Sequence, residues 1–214
     1  KRHIVRPIQD GNTLFGCLEK APTVFDAIGD LPSVANGGEY DGEYQKEPTS
    51  LFHEWYRNGS NKVQNHRCQK VGDTHLDRFK HIPKGKANSG WLDLPDHLKP
   101  TNLKSFSSSS YDNRFGRLNW DGTFNAIMGK IEPYWGRVIH PEQDRLISLR
   151  ECARAQGFPD NFILDGSFSE IAKMIGNAVS VPLAMALSST IAGLFGKIDT
   201  GFDEFVSQVN KRKS

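Results

Sequence analysis

Apolar and polar positions recur at helical spacing in several short stretches of the chain. In Pro22-Thr23-Val24-Phe25-Asp26 a threonine stands three residues ahead of an acid, with Ala27 and Ile28 following, so a capped helix ending near Gly29 is predicted. A second helix is predicted over 50–57, with Leu51, Phe52 and Trp55 on one side and Asn58-Gly59 as its stop. A third, over 74–81, turns Leu76, Phe79 and the following Ile82 inward before Pro83. Ser148-Leu149-Arg150-Glu151 repeats the capping pattern, and its helix runs through Cys152, Ala153 and Gln156 to a stop at Gly157. Two later helices are predicted near 168–174 and over 181–195. In the second, Pro182 occupies the first turn and Leu183, Ala186, Leu187, Ile191 and Leu194 form the inward stripe.

Strand-like alternation is scarcer. Residues 117–122 and 124–129 predict two short strands around the Asp121-Gly122 turn, and 137–140 a third. Residues 35–48, rich in glycine, glutamate and tyrosine, read as a surface loop, and the serine run at 105–110 as a loop tip. The pattern is that of a mixed α/β protein, with 1–20 a connecting segment and 199–214 a tail.

At 214 residues, 37% hydrophobic and 24% charged, the chain has enough apolar material for one or two compact units. The uncharged run 175–196 is long enough for a membrane span. Asn177, Ser180, Pro182, Ser188, Ser189 and Thr190 make it too polar for one, so no membrane partner is expected. Cys17, Cys68 and Cys152 lie far apart without metal-ligand or disulfide spacing, which points to a reducing compartment and to no metal site. The chain opens on Lys1-Arg2-His3 with neither an initiator methionine nor an apolar signal core, as a piece of a longer polypeptide would. A net charge of +2 says little, but 57–86 is locally basic, with Arg57, Lys62, Arg67, Lys70, Arg78 and Lys84 against only Asp73 and Asp77. Such a block is either a solvated face or a phosphate-contacting surface.

Two segments carry more specific wording. The run His140-Pro141-Glu142-Gln143-Asp144-Arg145-Leu146-Ile147-Ser148-Leu149-Arg150-Glu151-Cys152-Ala153-Arg154-Ala155-Gln156-Gly157-Phe158-Pro159-Asp160 closely resembles the ninth motif of DNA cytosine-5-methyltransferases. Downstream, Ile175-Gly176-Asn177-Ala178-Val179-Ser180-Val181-Pro182-Leu183-Ala184 is similar to the family's tenth motif. Gly116-Arg117-Leu118-Asn119-Trp120-Asp121-Gly122, Glu132-Pro133 and Gly136-Arg137-Val138-Ile139-His140-Pro141 resemble the end of the target-recognition domain in the eukaryotic maintenance-type branch. Residues 23–32 resemble its opening.

The resemblance implies a target-recognition domain over 21–145 and, over 146–198, the C-terminal helical part of a Rossmann-like catalytic domain that is largely absent from this chain. Arg145, Arg150, Glu151 and Arg154 alternate in charge on and before one short helix, which predicts a buried ion-pair scaffold. A glycine-asparagine turn ahead of a helix lets backbone and carboxamide approach a ligand. By resemblance, Asn177, Ala178 and Val179 line the S-adenosyl-L-methionine pocket. Tyr111, Arg114, Thr123, Lys130, Tyr134 and Trp135 are the candidates for reading duplex DNA and filling the space of an extruded cytosine. Tyr134 and Trp135 fit a domain core equally well.

The chemistry of this family needs a Pro-Cys loop whose thiolate attacks the base, a glutamate and a glycine-rich cofactor loop. None is present, and Cys68, in Arg67-Cys68-Gln69, lacks the proline. The expectation is the C-terminal part of a nuclear DNA cytosine-5-methyltransferase whose nucleophile lies upstream in the same protein. A non-catalytic DNA-binding homologue and a tRNA methyltransferase of the same superfamily are the alternatives. The serine run stands where animal maintenance enzymes carry a cysteine-rich, zinc-holding insertion.

Overall fold

Local capping starts the fold. In the computed structural model, which describes residues 21–86, 94–99 and 114–194, Thr23 caps helix α1 (Val24–Ile28): its hydroxyl accepts from the Asp26 amide at 3.1 Å, and the Asp26 carboxylate accepts from the Thr23 amide at 2.8 Å. The chain continues through β1 (Glu39–Glu43), α2 (Leu51–Arg57), β2 (Lys62–Arg67), α3 (Asp73–Lys80), β3 (Gly116–Arg117), β4 (Arg137–Ile139), α4 (Leu149–Ala155), α5 (Phe168–Asn177) and α6 (Val181–Leu194). Single 3-10 turns lie at Asp96–Leu98 and Pro133–Trp135. Residues 22–178 form one compact unit, and α6 lies in a second.

The first unit is a mixed α/β body with two small sheets. β1 and β2 pair antiparallel, whereas β3 and β4 pair parallel. The region expected to be a loop at 35–48 therefore contains a strand, and the basic block supplies its partner. Asn65, at φ 57°, breaks the alternation of β2, so its buried residues Val63 and His66 are three apart rather than two. The hairpin expected over 117–129 does not form. The carbonyls of Trp120 and Gly122 accept instead from the Phe25 and Val24 amides at 3.1 and 2.8 Å, which satisfies the start of α1 and leaves no ladder for 124–129. In α2 the inward side chains are His53 and Tyr56, while Leu51, Phe52 and Trp55 are only half buried.

The core gathers Val24, Ile28, Phe79, Phe115, Ile139, Leu146, Leu149, Ala153 and Ile171 around α4. This helix buries six of its seven residues, Leu149 to Arg154, and three of the largest fully buried side chains in the described residues are arginines, Arg145, Arg150 and Arg154. Arg145 forks onto Glu151 at 2.8 and 2.7 Å, and the same carboxylate accepts from the Ser148 amide at 2.7 Å, closing the helix cap. Burial pushes the Glu151 carboxyl up, but Arg145 outweighs it and holds the group well below the usual carboxylate range. Arg150 donates to the carbonyls of Gln64, Pro159 and Phe162. Arg154 lies between Asp160 and Asp30, donates to the Ala27 carbonyl at 3.0 Å and sits over the Tyr56 ring. Asp30 also takes Arg57, at 2.7 Å. The ion-pair scaffold expected from the alternating charges is present, and it joins α1, α2, β2 and the 158–164 loop to one helix.

Three buried histidines complete it as neutral rings. His66 Nε2 donates to the Pro32 carbonyl, because a carbonyl can only accept, so its Nδ1 accepts from the Ser148 hydroxyl, both at 2.7 Å. His53 Nε2 likewise donates to the Phe25 carbonyl and its Nδ1 accepts from the Thr49 amide. His140 Nδ1 accepts from the amides of Glu142 and Gln143, leaving Nε2–H toward Glu151, 3.8 Å away. Burial lowers the pKa of His53 and His66 and pushes His140 down to about 4, against a smaller upward pull from Asp30 or Glu151.

In the second unit, α6 was expected to present one inward stripe. Among its described side chains only Ala186 is buried, and Leu187 and Ile191 are exposed. A helix apolar over most of its circumference has no single inward face to bury. Within Phe168–Ala192 an 18-residue window has a mean hydropathy of 1.4, so the stretch is long and apolar enough to cross a membrane by length and composition; extended backbone at Ala178, ψ 146°, divides it.

Arg154→Ala removes the closest counter-ion of two buried carboxylates, leaving Asp30 with Arg57 alone and Asp160 with Arg150 at 3.7 Å, and a loss of roughly 3 kcal/mol or more in urea unfolding is expected, while Lys80→Ala, which removes an exposed pair with Asp77, leaves the midpoint nearly unchanged. Equal effects would contradict the scaffold. The histidines set a pH dependence. The unfolded ring takes its proton near 6.5 and the folded His140 only near 4, so this stabilisation is complete above pH 6.5 and is lost as pH falls through that window. His140 alone should contribute about 2 kcal/mol to the loss between pH 6.5 and 5. Unfolding free energy that stays flat over this range would show that the rings are not held neutral.

Candidate functional site

The stretch from β3 to β4 carries most of the DNA-reading candidates, and its backbone is fixed from several sides. Phe115, at φ 51°, is buried and donates its amide to the Pro133 carbonyl at 2.7 Å, while the Leu118 amide reaches Ile139 at 3.0 Å. The Trp120 indole donates to Glu142 at 2.8 Å and meets the His140 ring edge-on. Arg117, buried beside them, donates to the carbonyls of Phe79, Ile82 and His140 and pairs with Asp144. The segment is therefore held rigidly at both ends.

On this support Thr123 and Lys130 are exposed and Arg114 is half buried, whereas Tyr111 lies outside the described residues. Tyr134 and Trp135, which could have been core, are each 51% exposed. The Tyr134 ring rests edge-on against Phe115, with centroids 4.6 Å apart, and near His75. Trp135 and Lys130 line a shallow cleft together with Met128, Arg137 and Cys152. The structure thus brings Lys130 and Trp135 to one cleft and sets Tyr134 beside His75. Arg137 and His75 were not singled out from sequence. Arg137 Nε and His75 Nδ1 are buried polar atoms with no hydrogen-bond partner among the described residues, a signal visible only in three dimensions.

The Gly176-Asn177 turn expected ahead of a helix is instead the last turn of α5. A Ser167–Glu170 capping box starts this helix, and it runs past the predicted end at 174 because the Ile175 carbonyl is held by the Ala178 amide and by Gln156 Nε2, both at 3.2 Å. Asn177 consequently sits at a helix C-terminus, whose partial charge favours cations rather than anions. Its side chain is exposed; Ala178 is half buried. Val179 belongs to the other unit and is 62% exposed. Glycine at 176 is required by packing: a Cβ there would lie 2.5 Å from Gly129 Cα and closer still to Gly129 N and Met128 C.

Much of the basic block is committed internally. Arg57 pairs with Asp30 and stacks on Tyr44, Arg78 donates to the Leu98 carbonyl, His66 is buried, and Lys80 and Lys84 pair with Asp77 and Glu142. Lys70 and Lys86 are exposed. The described cysteines do not suit nucleophilic work. Cys68 is buried with its thiol donating to the Ala35 carbonyl, Cys152 is buried beside Glu151, and burial raises both pKa values, so both stay protonated.

Comparison with known proteins identifies the family. The family model for the C-5 cytosine-specific DNA methylase matches residues 19–193. DNA (cytosine-5)-methyltransferase 2 of Arabidopsis thaliana is 38% identical over 196 residues, covering 82% of this chain and 13% of that protein. DNA (cytosine-5)-methyltransferase 1A of Oryza sativa subsp. japonica is 37% identical over 192 residues, covering 82% and 12%, and DNA (cytosine-5)-methyltransferase 1 of Gallus gallus is 30% identical over 232 residues, covering 81% and 15%. The chain thus spans a small part of the length of these relatives. A crystal structure titled as a putative DNA modification methyltransferase encoded within a prophage of E. coli shares the fold, with a TM-score of 0.57 and 19% identity over 83% of this chain and 48% of that one. On the extent of the family match, this chain belongs to the C-5 cytosine-specific DNA methylases.

Proposed function

We propose that these residues form the target-recognition surface and one wall of the methyl-donor pocket of a DNA cytosine-5-methyltransferase. The observation that carries the reading is the exposure of Thr123, Lys130, Tyr134 and Trp135 on a single backbone segment that is braced by buried partners at both ends. Side chains that read DNA must be free at the tip and fixed at the base, since phosphate contacts set register and base contacts then specify. Lys130 suits a phosphate; Trp135 and Tyr134 offer flat apolar faces to an unstacked base. The buried scaffold behind them contributes rigidity and takes no part in chemistry.

On the cofactor side, Asn177 and Ala178 are the residues of the compact unit that would hold S-adenosyl-L-methionine. The exposed Asn177 carboxamide can both donate and accept, and the C-terminal end of α5 suits a ligand bearing a sulfonium and an ammonium. The cofactor, when bound, supplies the methyl group. Because Cys68 and Cys152 are buried thiols and not thiolates, the attacking cysteine in this reading belongs to polypeptide beyond these residues.

The test is DNA binding by the full-length protein. Lys130→Ala should weaken binding to any duplex sequence and reduce the slope of log affinity against log salt by about 1, as loss of one phosphate contact does. Trp135→Ala should lower methyl transfer with a smaller change in salt slope. Wild-type affinity and salt slope in Lys130→Ala would remove the recognition surface from this segment.

A further inference from the structure

Helix α5 crosses the 128–130 segment at backbone distance. At Gly176 the two main chains meet without any side chain between them, and the atoms that an added Cβ would strike, Met128 C, Gly129 N and Gly129 Cα, are all backbone and cannot rotate away. The constraint lies on the helix side: a Cβ on Gly129 would sit at an ordinary 3.5 Å from Lys173 Cα. Gln156 Nε2 pins the same turn through the Ile175 carbonyl. Lys130 follows Gly129 directly, and Asn177 follows Gly176 directly. One residue thus separates the crossing from the phosphate-contact candidate on one strand of chain and from the cofactor candidate on the other.

We infer that Gly176 is a positioning residue: it sets the spacing between the segment carrying Lys130 and the helix end carrying Asn177, so that a ligand held at one is felt at the other. This rests on the recognition and cofactor roles proposed above. The mechanism is steric. A segment drawn toward DNA at Lys130 carries Gly129 with it, and Gly129 bears on Gly176 main chain to main chain, with no flexible side chain to absorb the movement. Linkage then makes the effect reciprocal, duplex DNA altering affinity for the cofactor by the same factor as the cofactor alters affinity for DNA.

The test uses the full-length protein, a duplex oligonucleotide and S-adenosylhomocysteine, which lacks the transferable methyl and so permits equilibrium measurement. Saturating duplex should change the affinity of the wild-type protein for S-adenosylhomocysteine by about five-fold or more, and Gly176→Ala should reduce that linkage to less than about two-fold in protein that retains its unfolding transition. A purely structural glycine would lower stability and leave the ratio intact. Should Gly176→Ala fail to fold, Lys130→Ala and Asn177→Ala, both at exposed positions, supply the same answer: Lys130→Ala should leave S-adenosylhomocysteine binding unchanged without DNA and erase the shift with saturating DNA. Absence of linkage in the wild type, or a wild-type ratio in folded Gly176→Ala or in Lys130→Ala, overturns the inference alone. If Asn177→Ala leaves S-adenosylhomocysteine affinity unaltered with and without DNA, the cofactor role itself falls, and the inference with it.

Discussion

A seven-residue helix with three arginines and a glutamate in or beside it, buried almost completely, is the element on which the rest of this structure depends. Charges of this kind are tolerated inside a protein only when each is paired and its remaining donors are satisfied. Here that requirement is met by recruiting partners from far along the chain: Ala27 in α1 and Asp30 after it, Gln64 and Asn65 in β2, Pro159, Asp160 and Phe162 in the loop beyond α4. The need to satisfy those donors therefore dictates where the other elements lie. Exchange of the arginines for apolar residues would remove the requirement and with it the fixed geometry.

This arrangement also accounts for the character of the exposed surface. Arginine is the residue best suited to phosphate, yet Arg145, Arg150, Arg154, Arg117 and Arg57 all serve internal partners. What reaches solvent on the 123–135 segment is a lysine, a threonine, two aromatic rings, Ala126 and Met128. Rigidity comes from the charged interior and contact from the segment tied to it, through Arg117 on one side and the Phe115–Pro133 hydrogen bond on the other.

Features governed by neighbours in sequence were legible, and those governed by distant partners were not. The Thr23–Asp26 and Ser148–Glu151 boxes lie within one helical turn, so helices α1 and α4 could be placed closely, and the alternation of charge in α4 announced its ion pairs. β2 was missed because Asn65 in the left-handed region disrupts its period, a kink whose benefit, paired hydrogen bonds to Leu164, involves residues 99 positions away. The hairpin at 117–129 failed because α1 took its carbonyls. At Gly176-Asn177 the wording pointed to a turn into a helix, whereas Gln156 and the Met128–Gly129 backbone keep the preceding helix going. In the candidate site, Thr123, Lys130, Tyr134 and Trp135 could be nominated from residue type within the family resemblance, while Arg137 and His75 depend on burial that no local pattern reveals.

The central claim is that α4 and its charged partners form one cooperative unit. Native-state hydrogen exchange measures this directly. The account predicts a common opening free energy, equal to that of global unfolding, for the amides of Arg154 in α4, Ile28 in α1, His66 in β2 and Leu164 in the loop. Exchange of Ile28 or Leu164 through independent, low-energy openings while α4 remains protected would contradict it.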